Sequence, residues 1–385
     1  MGEPGSGRRT ESIWRRASLL ELFFDLVFVF ALDQLGMRLI NELNTGRPLR
    51  LGETVETVLL FLALWFMWVS TVATTSVRPP DSLLIQTVVF ISMAGAVVMA
   101  VAVQGFGQRV FVFASTYIAA NMGRQLLLVV VRPRWIATPT LLSGVVSIVP
   151  WMAGALVDDD DLRAALWALA LALEYGGLVV GWLRYGVAIA GEHLAERLEQ
   201  FLLIALGAAI FLSGRALSNS DFGIPHAAGF GLAFVATVLL WRIYLYRAGL
   251  TLAPAITRAR NPVRQSVGVA GSHLLMIAGV VLAGVGFELY ISEPAGRPDP
   301  RWLVAILGGP ALFLAGRAPF ELQVFGRISR SRLTGLLALG LLIPATWHAP
   351  PLAAGGAAAA VLAGIAGSDA WRARGRAPEL PAPRI

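Results

Sequence analysis

The sequence predicts an all-α protein, a polytopic bundle of about twelve transmembrane helices. Three observations carry this. Of the 385 residues 56% are hydrophobic, and only 14% are charged, well below the roughly 25% usual for soluble domains. The apolar residues form runs of about 20, the length a helix needs to cross a bilayer. The arginines crowd into every second connection between those runs, as the positive-inside rule requires. A soluble chain of this size would need far more polar surface. Composition therefore excludes a disordered chain, a nucleic-acid-binding domain and an ordinary cytosolic enzyme.

Residues 1–17 are Gly-, Ser- and Arg-rich and read as a short cytoplasmic tail. The first span, 18–40, is too long for a signal-peptide core and carries acids, so no cleavage is expected. Spans 55–77, 82–104, 109–131, 135–156 and 162–187 complete a first six-helix half, 18–187. Spans 193–217, 226–250, 267–292, 301–325, 330–347 and 351–372 form a second half, 193–372. The last two spans are Gly/Ala-rich and separated only by Trp347, His348, Ala349, Pro350 and Pro351. Residues 373–385 end in a Pro-rich stretch expected to be disordered.

The arginines fix the expected orientation. With the N-terminus inside, most of the 31 basic residues fall in cytoplasmic segments, among them Arg15, Arg16, Arg258, Arg260, Arg264, Arg327, Arg330 and Arg372. Arg38, Arg47, Arg50, Arg109, Arg163, Arg215, Arg297 and Arg301 fall outside, and Arg124 lies within a span. Both termini are therefore expected in the cytoplasm, with Asp158–Asp161 in an outside loop. The expected location is the inner (plasma) membrane. The net charge of +7 is assigned to membrane lipids as partners, not to nucleic acid.

There is no cysteine and no lysine; every basic residue is Arg. Disulfides, thiolate metal sites and Cys nucleophiles are excluded, as are a Schiff-base lysine and a P-loop lysine. No nucleotide loop, Ser-His-Asp set or Gly-x-Ser-x-Gly elbow is legible. No cofactor and no metal are expected. Glycines such as those in Gly176-Gly-Leu-Val-Val-Gly181 fit close packing of membrane helices.

The halves can be laid over each other. Phe61–Trp68 matches Phe234–Trp241, Met93–Ala100 matches Ile277–Gly284, and Arg124 falls near Arg317. A repeat of six spans, being even, keeps both halves in one orientation. The expectation is a parallel 6+6 repeat about an axis along the membrane normal.

Charges inside spans are costly and point to function. Span 1 holds Glu21, Asp25, Asp33 and Gln34. Glu21 and Asp25 are one helical turn apart; Asp33 lies about 80° further round, so the three share an arc of roughly 120°. This acidic stripe would bind a proton or a cation, or else Glu21 would complement the helix N-terminus and Asp25 would pair with an Arg for packing. Arg124 or the segment Glu192–Arg197 would supply that partner. In Gly191-Glu-His-Leu-Ala-Glu-Arg197, Glu192 and Glu196 form one polar row, His193 and Arg197 another. A lone His among carboxylates is a weak metal signal, and an Arg–Glu network at the cytoplasmic surface is the simpler alternative. His273 and Glu288 share span 9 but lie about four turns apart. Glu174, Arg242, Arg317 and Glu321 complete the buried charges.

Glu21-Leu-Phe-Phe-Asp-Leu-Val-Phe-Val-Phe-Ala31 with Gln34-Leu35 resembles the opening signature of the bacterial low temperature requirement A family. Glu192-His-Leu-Ala-Glu-Arg197 followed by Ile204-Ala-Leu-Gly207 is similar to its central motif, and Ser272-His273 with Gly279 to its later His-containing span. Two positions depart from the pattern: Ala208 replaces an acid, and Asp33 stands where an uncharged residue is usual. The resemblance implies a polytopic membrane protein linked to growth in the cold, and names no substrate.

Two classes of function follow. The leading one is a secondary transporter of a small molecule or ion, coupled through the carboxylates of span 1, whose two halves rock about a central site. Arg78-Pro-Pro-Asp81 lacks the loop signature of major-facilitator transporters, so this rests on architecture alone. The alternative is a membrane-embedded enzyme acting on a lipid or lipid-linked substrate, or a non-catalytic membrane partner or sensor. An enzyme needs acid and His groups clustered at one membrane face; a transporter needs a polar cavity at mid-depth. Sequence does not give the oligomeric state.

Overall fold

The computed structural model describes residues 18–45, 51–76, 82–131, 134–185, 191–248, 251–296, 299–375 and 381–382. The expected tail 1–17 and most of the expected tail 373–385 lie outside the described residues, as does Arg78. Among the described residues every regular element is a helix: α1 Leu19–Asn44, α2 Leu51–Thr75, α3 Leu83–Val103, α4 Phe106–Val131, α5 Arg134–Leu156, α6 Asp160–Tyr185, α7 Gly191–Ser218, α8 Ile224–Ala248, α9 Leu252–Thr257, α10 Pro262–Ser292, α11 Trp302–Ile306, α12 Gly308–Phe325, α13 Arg330–Ala345 and α14 Pro351–Ala373.

Among the described residues nine stretches are long and apolar enough to cross a membrane: Gly52–Thr75, Leu83–Val103, Pro139–Leu156, Asp160–Leu183, Gly191–Ser218, Ile224–Leu245, Pro262–Ser292, Trp302–Phe325 and Pro351–Ala373. The expected spans 18–40, 109–131 and 330–347 also fall on helices, outside that set. α1 carries Glu21, Asp25, Asp33, Arg38 and Glu42; α4 carries Arg109 and Arg124 with Gln108, Asn121 and Gln125; α13 has only 16 residues.

The chain divides into two compact units. The first comprises Met1–Leu35, Pro48–Gln200 and Asn261–Val267. Its most buried helix is α2, where Leu60, Ala63, Leu64, Trp68 and Val72 are each at most 1% exposed. Beside it α4, α5 and α6 enclose an aromatic core. Tyr117 and Trp151 stand 4.6 Å apart between ring centres, Trp151 and Trp167 4.7 Å, and Phe113 stacks on Trp167 at 5.8 Å. Gly154 makes room for this core: a Cβ there would meet the Trp167 ring at 2.6 Å. The outer surface of these helices carries apolar stripes as well. On α1 the exposed stripe is Leu19, Leu22, Phe23, Leu26 and Phe30; on α5 it is Leu142, Val145, Val146 and Val149. Such continuous apolar stripes are stable against lipid, where helices satisfy their own backbone groups.

The second unit comprises Gly36–Arg47, Phe201–Arg260 and Gly268–Ile385. α10 packs on α11 and α12 through glycines. A Cβ on Gly279 would meet the Phe313 nitrogen at 2.3 Å, one on Gly286 the Ile306 Cα at 2.8 Å, and one on Gly309 the Ala283 nitrogen at 2.3 Å. Close backbone approach of this kind takes the place of a hydrophobic driving force inside lipid. The expected span 301–325 is not one helix: it breaks at Leu307 between α11 and α12. Pro310 explains the break, because its ring excludes the carbonyl of Ile306 and it has no N–H to donate. α14 packs along α8.

Candidate functional site

The first unit brings the acids of α1 onto the first turn of α7. α1 starts with Ser18-Leu-Leu-Glu21, a capping box. The Ser18 backbone N–H donates to Glu21 Oε2 at 2.9 Å, its hydroxyl to the same oxygen at 3.1 Å, and the Glu21 N–H donates back to Ser18 Oγ at 3.3 Å. This locks the Glu21 side chain and leaves Oε1 facing α7, where it meets His193 Nε2 at 2.9 Å. One turn further along both helices, Arg197 donates twice to Asp25, Nη1 to Oδ2 and Nη2 to Oδ1, each at 2.7 Å. Trp68 of α2 donates its indole N–H to Asp25 Oδ1 at 2.8 Å, and the guanidinium lies 5.9 Å from the Trp68 ring centre.

The four charged or titratable groups are buried: Glu21 is 3% exposed, Asp25 0%, His193 4% and Arg197 1%. A two-pronged Arg–carboxylate pair with an added indole donor is the geometry that offsets the cost of burying two charges. The rungs 21–193 and 25–197 have the same sequence separation, so these segments of α1 and α7 run parallel.

His193 also reaches α2. Its Nδ1 lies 3.0 Å from the hydroxyl of Ser76, which is half-buried at the end of α2 and also bonds the Val72 carbonyl at 2.7 Å. The Ser76 hydroxyl has one proton: given to the Val72 carbonyl, it leaves Oγ to accept from Nδ1–H, and given to Nδ1 it leaves Val72. Ser76, His193 and Glu21 thus form a three-group relay. The other end of α2 is also anchored by charge. Arg163 of α6 donates to Glu56 at 2.8 Å, to Asp160 at 2.7 Å and to the Val157 carbonyl at 2.8 Å. Glu56 and Ser76 are twenty positions apart, about 30 Å along a helix and so about one hydrocarbon thickness.

The remaining candidates fall elsewhere. Asp33 is buried and accepts from its neighbour Gln34 at 3.3 Å; the Gln34 carbonyl accepts from Gln104 at 2.9 Å. Glu192 faces outward, and Glu196 is partly exposed with Gln200 3.5 Å away. Arg124 lies with Asn121 on α4, to which it donates a short hydrogen bond. Of the two candidate partners for Asp25, the α7 segment is therefore the one that meets it.

In the second unit His273 is fully buried: Nδ1 donates to the Val269 carbonyl at 2.9 Å, and Nε2 meets the Tyr244 hydroxyl at 2.8 Å. Glu288, on the same helix, accepts from Ser292 at 2.9 Å. Among the described residues no three His, Asp or Glu side chains are arranged as a metal site.

Trp68 and Ser76 are site residues that the sequence reading missed. Trp68 entered it only as part of an internal match, and Ser76 carries no motif. A second buried carboxylate was noted but given no role. Glu174 of α6 accepts from Tyr117, from Ser147 at 2.5 Å and from Asn121 at 3.3 Å. It sits among hydroxyl and amide donors of α4 and α5, with the Arg124 guanidinium close enough to act on its charge.

Comparison with known proteins closes the picture. Residues 16–367 match the family model described as bacterial low temperature requirement A protein (LtrA). The uncharacterized protein RA0937 of Rhizobium meliloti (strain 1021) is 33% identical over 332 residues, which is 80% of this chain and 78% of the relative. No solved structure matches the chain.

Proposed function

The chain belongs to the bacterial low temperature requirement A family and is a multi-pass membrane protein, and from that premise we propose that it is a secondary transporter of a small solute. Protons or cations couple to it through the carboxylates of α1. The observation that carries this reading is the buried ladder of Glu21 on His193 and Asp25 on Arg197. Parallel α1 and α7 are what a six-plus-six parallel repeat requires of the first helix of each half, 18–187 and 193–372. Twelve crossings, both termini in the cytoplasm and an inner-membrane location complete the proposal. The arginine bias supports them, as does the placing of Glu56 with Arg163 at the opposite end of α2 from His193. In this scheme the ladder holds the cytoplasmic ends of α1 and α7 together. A proton or cation arriving at Glu21 or Asp25 loosens a rung and permits rocking.

The test is purified protein in liposomes with an imposed pH gradient, screened against a panel of small solutes. Gradient-dependent uptake of at least one solute, lost in Asp25→Asn, is expected. Uptake by no solute, with binding of none, would reject the transporter.

A second reading is favoured by one observation. Ser76, His193 and Glu21 are the residue types of a hydrolytic triad, and they gather at one end of α2, near one membrane face. A membrane-embedded enzyme would use Ser76 as nucleophile on a lipid-linked acyl group and His193 as base. Hydrolysis of a short-chain ester in lipid micelles, lost in Ser76→Ala, would favour this reading over transport.

A further inference from the structure

α13 and α14 face each other with a groove between them. It has a volume of about 470 Å³, with Arg330, Ser331 and Arg372 at one end and Ala338, Val361 and Gly364 among its walls. The helices touch at Gly335, where a Cβ would meet Ile365 Cδ1 at 2.4 Å; at Gly364 a Cβ would have nothing within 4 Å.

The groove lies beside an exposed apolar surface. The outward stripe of α13, Leu333, Leu337 and Leu341, is 50%, 68% and 73% exposed. In a membrane protein such a surface is covered by acyl chains.

The polar end has a surplus of positive charge. Glu321 of α12 lies 3.0 Å from Arg332 and 3.8 Å from Arg317, and Asp369 lies 2.7 Å from Arg332 and 3.6 Å from Arg372. Two carboxylates thus face Arg317, Arg332 and Arg372, and Arg330 adds a fourth cation. Arg332 and Arg317 are consumed inside this buried network. Arg330 is exposed and Arg372 is held, partly exposed, over the groove by Ser329 at 3.2 Å and Ser368 at 2.6 Å.

We infer that this groove binds an anionic phospholipid, its phosphate between Arg330 and Arg372 and one acyl chain along Gly364 and Val361. Charge complementarity selects an anion, and the apolar walls continuous with a lipid-facing stripe select a lipid over a free phosphate. The inference is independent of the transporter reading.

The experiment is native mass spectrometry of the purified full chain in neutral detergent, titrated with phosphatidylglycerol or phosphatidylcholine. Two arginines, each contributing about a fivefold gain for an anionic headgroup, predict a preference of about twenty-fivefold. Arg330→Gln should cut that preference about fivefold. Gly364→Leu, which fills open space, should abolish binding of both lipids at the site while leaving the lipid-free thermal midpoint unchanged. Arg258→Gln, removing an exposed arginine elsewhere, should leave the preference intact. Equal binding of the two lipids by the unaltered protein would overturn the inference. So would an Arg258→Gln effect as large as that of Arg330→Gln, or full displacement of the lipid by glycerol 3-phosphate.

Discussion

The two buried histidines keep opposite company. His193 bridges Ser76 and Glu21, and one turn along it lies the Asp25–Arg197 pair. His273 has a carbonyl on one nitrogen and a phenol on the other, and stands edge-on to Phe320, over whose ring Arg317 lies at 4.5 Å. His193 has the Glu21 carboxylate as its partner at 2.9 Å. Protonating His273 would cost it Tyr244 as a donor and add a cation near Arg317. The same side chain is therefore set against a carboxylate in one region and among neutral hydrogen-bond partners in the other. What decides is the partner supplied by a neighbouring helix, and not the depth of burial, which is nearly equal.

The comparison is broken most forcefully by leaving a charge alone. Arg197→Met strands Asp25 at 0% exposure, and Arg332→Met leaves Glu321 and Asp369 with weaker partners. Each should cost about 3–5 kcal/mol, read as a large fall in thermal midpoint and folded yield. The double change Asp25→Leu with Arg197→Met should recover most of the stability at the first site and none of the coupled transport. A double change that stays as unstable as the single one would show that the pair is not a local unit.

Next in size are the histidine partners. Tyr244→Phe leaves His273 Nε2 buried without its donor and should cost about 1–3 kcal/mol with transport kinetics unchanged. Glu21→Gln should cost a similar amount, because one amide oxygen replaces two carboxylate acceptors that serve Ser18 and His193 and the charge facing His193 is lost, and it should also alter the pH profile of transport. Equal effects of these two changes on that profile would erase the distinction between the histidines.

The smallest effect is a reference for a half-buried pair outside the apolar spans. Asp299 is held below the usual carboxylate range by hydrogen bonds from the Arg301 side chain, 2.5 Å away. Its contribution is present above the ordinary carboxylate range and is lost as pH falls through the lowered folded value. Asp299→Asn should therefore change stability by less than about 1 kcal/mol at neutral pH, and by less still in acid.

Much of this was legible in sequence. Length, apolar runs and Arg placing give the helices, and a four-residue spacing puts Glu21 with Asp25 and His193 with Arg197. The capping box was present as Ser18-x-x-Glu21. What was not legible is pairing across more than a hundred residues. Asp25 could equally have met Arg124, since both are buried charges on apolar helices, and only packing selects Arg197 and Trp68. Ser76 has no sequence signal, because a serine near a helix end more often bonds its own backbone, as it also does here with Val72. The break at Leu307 was hidden by continuous hydropathy, although Gly308-Gly309-Pro310 marks it.

The central claim is that the α1–α7 ladder couples a bound proton or cation to movement of a solute. The most direct measurement is lumenal pH, read with a trapped dye, in liposomes holding wild type or Asp25→Asn at equal folded content, during uptake of a transported solute. Wild type is expected to move protons with the solute. Asp25→Asn keeps an oxygen for Trp68 and Arg197 to donate to but leaves Arg197 without its counter-ion and so lowers folded yield; compared at equal folded content it should lose nearly all of that signal. A folded Asp25→Asn protein that carries solute and protons at the wild-type rate would contradict it.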